Sequence, residues 1–318
     1  MLAIGEKSVR RILDEKTAFR LAKEAFELIG RGKTKMPPKI YLELPGDPPA
    51  DFRAMPAFLK SKKGKVCGIK WVSVFPGNPS FRRPTVNGTI LLNSPLTGEL
   101  LALLEGNTIT ALRTAAAAAV ATKFMANPRP LKLALVGAGL QAEHQLRALL
   151  RLYPFKKICV WGHRAGEARD FCRRFRRLNP ILTPSLDIQS CVLRADIIVT
   201  CTPSHRPLVK KEWVKPGAHI NAIGADAKGK EELDPALLRG AKVVVDEWEQ
   251  ASHSGEINVP VSKGLFSRRH LYAELAEIVG GKKKGRASVD DITVFDSTGL
   301  AILDIYFAQY VHDAYKRL

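Results

Sequence analysis

The sequence predicts an α/β protein in which a doubly wound parallel sheet is joined to a second, α+β region. Three observations carry this. From Leu131 onward, near-continuous apolar runs alternate with helical patterns: "KLALVGAG", "KICVWG", "ADIIVTCT", "AHINAIGAD" and "AKVVVDE" read as strands, and "QAEHQLRALLRLY" and "RAGEARDFCRRFRRL" as helices among them. The first of those strands runs directly into Gly137, Gly139 and Ala142, in G-x-G-x-x-A spacing, at the opening of a helix. The region before residue 128 has a different texture, with short strands closely punctuated by turn residues.

The elements follow in order. "RILDEKTAFRLAKEAFELIGRGK" repeats apolar residues at helical spacing and stops at Gly30 and Gly32, so a helix is expected there. "KIYLELPGD", "CGIKWVSVFPGNP" and "TVNGTILLNSPLTGELLALLEG" are strand-like pieces between Pro, Gly and Asn, which predicts an antiparallel meander or hairpins. "TALRTAAAAAVATKFM" has the alanine content of a strong helix former and is broken by "ANPRP". The last stretch, "DITVFDSTGLAILDIYFAQYVHDAYKRL", reads as strand, turn and long helix. Because the sheet is already complete, that helix is expected to return to the first region. The expected domains are therefore 1–127 with 296–318, and 128–295.

The 318 residues, 46% of them hydrophobic, can bury the cores of two domains. No stretch reaches the roughly 18 apolar residues of a membrane span. The N-terminus also lacks the apolar core of a signal peptide, so a cytoplasmic location with no membrane partner is expected. Five cysteines, an odd count without a close CxxC pair, argue against a disulfide framework or a zinc site, and no metal is expected. The formal charge of +19 has two readings: basic runs such as "KSKKGK" and "GGKKKGR" can neutralise nucleic-acid phosphates, or they can be solvated loops. No helix-turn-helix, zinc module or aromatic-studded RNP pattern accompanies them, so no nucleic-acid partner is expected. The field still favours anionic small molecules.

The glycine turn is the strongest chemical signal. Gly137 permits a tight turn, Gly139 lets the backbone approach a pyrophosphate, and a small residue at 142 allows close helix–strand packing. The helix start adds free N–H groups and a positive dipole end. In this strand–turn–helix setting the spacing is the fingerprint of a Rossmann-type domain, so NAD or NADP is expected as cofactor.

Four segments in order, "NTITALRTAAAAA", "VGAGLQAEHQLRAL", "HINAIGADAKGKEELD" and "TVFDSTGLAILD", resemble the ornithine cyclodeaminase/μ-crystallin family over nearly the whole chain. Within it, "KMPPKIYLEL", "FRAMPA", "GIKWVSVFPGNP", "NSPLTG" and "GEINVPVSKG" are most similar to the archaeal-type alanine dehydrogenases. The resemblance implies a homodimer whose first domain, built from both termini, makes the dimer contact and holds the substrate. It also implies NAD(P)-dependent oxidative deamination of a small L-amino acid, L-alanine before others, to a 2-oxo acid and ammonia. Ornithine cyclodeamination, ketimine reduction and non-enzymatic ligand binding are the alternatives.

The residues carry their own arguments. Lys70, in "VCGIKWVSVFP", is either a buried cation suited to proton transfer or an edge lysine facing water. Arg113, just inside an alanine-rich helix start, is either buried against an anion or a surface arginine. Asp226 follows a predicted parallel strand at the edge where such sheets place ligands, or it caps the next helix. Ser297, Thr298 and Gly299 form a turn that either supplies groups to ligands or caps the last helix. The resemblance implies that Arg113 binds the substrate carboxylate, that Lys39 and Arg53 line the substrate pocket, and that Lys70 and Asp226 are catalytic. It implies further that Arg53 disfavours diamino acids, since ornithine-specific relatives carry an acid at that place. The expected cofactor contacts are Thr114, Gly137, Ala138, Gly139, Leu140, Gln141, Gly162, His163, Arg164, Thr202, Ser297 and Gly299.

The segment "CVWGHRAGEARDF" lacks the acid that NAD-preferring domains place after their second strand to bond the ribose. Gly162, His163 and Arg164 leave room there and add positive charge, which leans the expectation toward NADP or use of both cofactors. The alternative is that Arg164 only begins a surface helix.

Overall fold

The computed structural model describes residues 1–62 and 64–318; Lys63, inside the basic run "KSKKGK", lies outside the described residues. The chain divides into two units, Met1–Arg113 with Leu300–Leu318, and Thr114–Gly299. The sequence expectation set the first limit at 127/128, where prolines end a helix. That helix, α3 (Asn107–Met125), instead runs through the division without a break. Its alanines 115–119 are buried, so the second unit's packing begins well before the proline signal. The second limit falls at Gly299 and not at 295, because the turn after the last strand is bonded within the second unit, as described below.

In the first unit, α1 (Glu6–Ile12) and α2 (Glu15–Gly30) stand where one helical pattern was expected. Asp14 is extended and its carboxylate accepts a bond from the Thr17 N–H at 2.7 Å, which caps a new helix start. The sheet contains β1 (Leu2–Ile4), β2 (Thr34–Lys35), β3 (Ile40–Leu44), β4 (Ala50–Ser61), β5 (Gly64–Val74), β6 (Val86–Asn93) and β7 (Leu100–Glu105). Strands β3 to β7 pair antiparallel in sequence order, as the alternation predicts, whereas β1 joins parallel to β7.

Register decides which side chains share a face. Arg53, Met55, Ala57 and Leu59 of β4 lie opposite Val72, Lys70, Gly68 and Val66 of β5, and the C-terminal helix α11 (Ala301–Tyr315) covers β4, β5, β6 and α2. The last helix therefore does return to the N-terminal unit. Gly68 permits its close approach, since a Cβ there would stand 3.1 Å from Ile305 Cδ1 and collide with the Leu91 carbonyl oxygen. The opposite face of the sheet carries Leu42, Phe52, Ala54, Trp71, Ile69, Leu91 and Leu103. Leu42, Trp71 and Leu103, with Ile40 beside them, are exposed.

The second unit is the doubly wound sheet. Its eight parallel strands are β8 (Lys132–Val136), β9 (Lys157–Trp161), β10 (Leu182–Pro184), β11 (Ile197–Thr200), β13 (His219–Ala222), β15 (Lys242–Val245), β16 (Ala273–Glu274) and β17 (Thr293–Asp296). Their order is β10–β9–β8–β11–β13–β17–β15–β16; β12 (His205–Val209) and β14 (Glu231–Leu233) form a separate pair. The winding reverses direction between β8 and β11, which is where sheets of this kind place ligands. The crossovers include α4 (Leu140–Leu150), α5 (Glu167–Phe175), α6 (Ile188–Val192) and α7 (Pro235–Gly240). Short helices α8 (Trp248–Ser254), α9 (Asn258–Ser262) and α10 (Leu275–Val279) complete the unit. Apolar clusters cover both faces, with Leu133, Leu135, Phe171 and Val199 in one and Val136, Ile198, Ile220 and Val294 in the other. That burial on both sides explains the uninterrupted apolar strands. Among the described residues, no helix is long and apolar enough to cross a membrane.

Candidate active site

Lys70 and Arg113 meet on one carboxylate. Lys70 Nζ is 2.7 Å from Asp304 Oδ2, and Arg113 Nε donates to Asp304 Oδ1 at 2.9 Å. All three are buried, at 1%, 5% and 0% exposure. The edge-strand and helix-surface alternatives for Lys70 and Arg113 therefore fall. Burial drives the Lys70 pKa down to about 7, helped by repulsion from Arg113 and Lys39 and opposed by attraction to Asp304. Burial would push the Asp304 carboxyl up, but the charges of Arg113 and Lys70 outweigh it and hold the group below the ordinary carboxylate range. The sequence reading missed Asp304. The signal was present in "GLAILDIYF", where one acid interrupts an apolar helix, and a buried cation needs such an anion.

Arg53 lies on the same sheet face as Lys70 and is also buried. Its guanidinium grips Asp51 through Nε at 2.7 Å and Nη2 at 3.1 Å and stands over the Tyr41 ring, so its orientation is set on two sides. Lys39, just before β3, is half-buried and close enough to repel the Lys70 ammonium. Four of the five residues expected to hold or act on substrate thus belong to the first unit, and Asp226 belongs to the second.

The glycine turn has the shape a dinucleotide requires. Gly137 has φ +123°, and a Cβ there would stand 2.8 Å from the Cys201 carbonyl oxygen. A Cβ on Gly139 would meet nothing within 4 Å, so the backbone is open to close approach. Gly139 is the N-cap of α4 and makes no side-chain cap bond, which leaves the first N–H groups of an 11-residue helix available. Ala142 is fully buried against the sheet, Leu140 is exposed beside the turn, and Gln141 Oε1 is buried without a partner among the described residues. Ala138 lies between the two glycines and is half-buried, and Thr114 is buried on α3. These features fit a pyrophosphate at Gly137–Gln141.

Buried carboxylates fasten the neighbouring loops, and sequence reasoning missed these as well. Glu232 accepts bonds from Thr202 N–H, Thr202 Oγ1 and Gly224 N–H at 2.7, 2.8 and 2.9 Å, joining the loops after β11 and β13. Asp246 accepts from Thr298 N–H, Thr298 Oγ1 and Gly299 N–H at 2.7, 2.8 and 2.9 Å. The Ser-Thr-Gly turn is therefore tied to the end of β15 and does not cap the last helix, whose start has no side-chain cap. Ser297 Oγ is buried without a partner among the described residues. Asp226 is not a helix cap either, since Asp234 caps α7. The Asp226 carboxylate is partly exposed, after the carboxyl end of β13, and Lys230 Nζ donates to it at 2.7 Å.

The turn after β9 differs from expectation. Gly162 was expected to leave room, but a Cβ there would stand 2.7 Å from Glu167 Cβ and 3.1 Å from Glu167 Oε2. Glu167 also accepts the Arg164 N–H at 3.1 Å and pairs with Arg164 Nε at 3.2 Å. The positive charge expected at this turn is thus paired, and a carboxylate reaches it from five residues downstream. His163 is exposed, its ring set edge-on to Trp161.

A family model described as "Ornithine cyclodeaminase/mu-crystallin family" matches residues 6–317. The chain belongs to the ornithine cyclodeaminase/mu-crystallin family. Within that family it is 42% identical over 314 residues to an alanine dehydrogenase of Archaeoglobus fulgidus, covering 98% of this chain and 94% of that one. An archaeal alanine dehydrogenase dimer with bound NAD superposes with a TM-score of 0.93 at 40% identity, covering 100% of this chain and 97% of the other. A Δ1-pyrroline-2-carboxylate reductase of Thermococcus litoralis, in complex with NADH and L-proline, gives 0.95 at 33% identity, covering 100% and 98%. The family's relatives include NAD-dependent dehydrogenases and reductases, so enzyme status and a nicotinamide cofactor are supported for this member.

Proposed function

We propose that this family member catalyses reversible NAD(P)-dependent oxidative deamination of a small L-amino acid, L-alanine to pyruvate and ammonia. One observation carries the reading: Lys70 and Arg113 share a single buried carboxylate beside the sheet face that also carries Arg53, leaving an excess positive charge for a substrate carboxylate. The similarity to the A. fulgidus alanine dehydrogenase supports it.

In this reading Arg113 holds the α-carboxylate, with Lys39 and Arg53 lining the remainder of the pocket. A bound nicotinamide supplies hydride exchange with the substrate's Cα. Oxidation leaves an iminium carbon on the substrate. Lys70, titrating near neutrality, gives or takes the proton at the reacting nitrogen or oxygen. Asp226, oriented by Lys230, activates the water that adds to the iminium carbon, and collapse releases ammonia. Arg53 offers no anchor for the distal ammonium of ornithine, even with Asp51 neutralising part of its charge.

The cofactor reading follows Glu167. Its carboxylate fills the turn where a 2′-phosphate would otherwise meet Arg164, which favours NAD(H) over the NADP(H) suggested by the sequence. The exposed apolar face with Ile40, Leu42, Trp71 and Leu103 supports a homodimer built through the first unit.

Purified protein given L-alanine with NAD+ or NADP+ should accumulate reduced cofactor, and pyruvate with ammonia should consume it. No turnover in either direction sinks the reading. A second reading, reduction of a cyclic ketimine acid, is favoured by the superposition on the pyrroline-carboxylate reductase. Turnover of Δ1-pyrroline-2-carboxylate without turnover of pyruvate and ammonia would select it. Asp226→Asn should abolish either reaction while NADH still binds.

A further inference from the structure

Asp304 has no counterpart among the expected site residues, yet two of them converge on it. It stands in the first turn of α11, where the helix dipole favours an anion, and it is fully buried. Its bond to Arg113 uses Nε, the inner nitrogen of the guanidinium. Among the described residues, Nη1 and Nη2 donate no hydrogen bond to protein. An arginine held by Nε has its plane fixed, and its two outer nitrogens then present a preset fork to a planar anion. Thr110 Oγ1 accepts from Lys70 at 3.4 Å, so the ammonium is held between β5, α3 and α11. The charged groups facing Lys70 are Asp304 on α11, Arg113 on α3 and Lys39 before β3.

We propose that Asp304 is a positioning residue for the substrate's carboxylate: it fixes the Arg113 fork and keeps the Lys70 ammonium in place without touching the substrate itself. The inference rests on the reading of Lys70 and Arg113 as substrate residues. Charge supports it. Two buried cations beside one anion leave a single positive charge, which one carboxylate neutralises. Without Asp304 the two cations would face each other unscreened, and Lys70 would relieve the repulsion by losing its proton. The cluster would keep its net charge of one, but with Lys70 neutral and the Arg113 fork held by no carboxylate, so the substrate would lose placed donors and not net charge.

The test uses full-length, NADH-loaded protein labelled with 13C-lysine, with pyruvate and pyrrole-2-carboxylate as probes. The Lys70 Cε resonance is assigned by its absence in Lys70→Met. In the native protein it should titrate near pH 7 and shift when a probe binds. In Asp304→Asn the midpoint should fall by about one pH unit or more, and probe affinity should drop at least about tenfold, while NADH affinity holds. Asp304→Glu, which keeps the charge on a longer arm, should keep the midpoint near its native value and recover part of the probe affinity. Unchanged midpoint and affinity in Asp304→Asn would overturn the proposal. So would equal losses of probe and NADH affinity in both variants, accompanied by equal losses of thermal stability, because that pattern marks support of the fold alone. Should Asp304→Asn fail to fold, Asp304→Glu decides: a native midpoint with weakened probe binding supports the proposal, and native probe affinity overturns it. If the probes shift Lys70 as described but alanine is not oxidised, the alanine reading falls and the role of Asp304 stands.

Discussion

Lys70 Nζ and Asp304 Oδ2 stand 2.7 Å apart, one on the fifth strand and the other on the last helix. The pair is buried at both ends, and Arg113 closes it into a three-residue cluster. The buried charge cluster of the first unit is therefore assembled from three separated stretches of chain.

The first prediction concerns pH. Lys70 has a folded-state pKa near 7, below the roughly 10.4 of a free lysine, so the folded chain releases this proton first. The linked contribution to stability is present above the unfolded pKa and is lost as pH falls through about 7. Thermal stability of the native protein relative to Lys70→Met should accordingly rise between about pH 7 and pH 10. The pH profile of kcat/KM should show a limb near pH 7 that disappears in Lys70→Met. A limb that survives the substitution assigns the titration to another group.

Arg113→Lys keeps a charge but removes the fork. The KM for pyruvate should rise about 10- to 150-fold, the equivalent of losing a charged hydrogen bond of about 1.5–3 kcal/mol, with the KM for NADH little changed. Steady-state kinetics with each substrate varied in turn checks this; a matching rise for NADH would remove Arg113 from the carboxylate.

Gly137→Ala forces a Cβ to 2.8 Å from the Cys201 carbonyl oxygen at a φ of +123°. The strain should cost about 1–3 kcal/mol of stability, and NADH binding should weaken with it. Thermal unfolding and fluorescence titration with NADH measure the two effects. Lowered stability with native NADH affinity would place the pyrophosphate elsewhere.

Glu167→Gln should raise affinity for NADPH relative to NADH by about tenfold, because it removes the carboxylate at the turn and frees Arg164 for a 2′-phosphate. Parallel titrations with both reduced cofactors test it, and an unchanged ratio removes Glu167 from cofactor selection. Gly162→Asp, the change the sequence invites, should instead destabilise the turn, since its Cβ would collide with Glu167.

Trp71→Glu places a charge in the exposed apolar face and should convert a dimer to monomers. Light scattering coupled to size exclusion reads the mass directly; a native protein that is already monomeric would refute the proposed assembly.

Much of the second unit was determined by local sequence. Apolar strands buried on both faces, the Gly137–Gly139–Ala142 spacing and the helices between strands are periodic or short-range signals, and the parallel order follows from them. Lys70 and Arg113 were legible too, because a lone cation in an apolar setting is costly without a purpose. Tertiary structure decided what those residues face. Asp304, Glu232 and Asp246 each work through partners brought together by pairing register and helix packing, and the spacing of their own neighbours carries no trace of those partners. The same reason separates the two halves of α3: alanine content predicts a helix, but only packing decides which unit each of its turns joins. A buried charge announces that it needs a counter-ion, and only the folded chain selects which one.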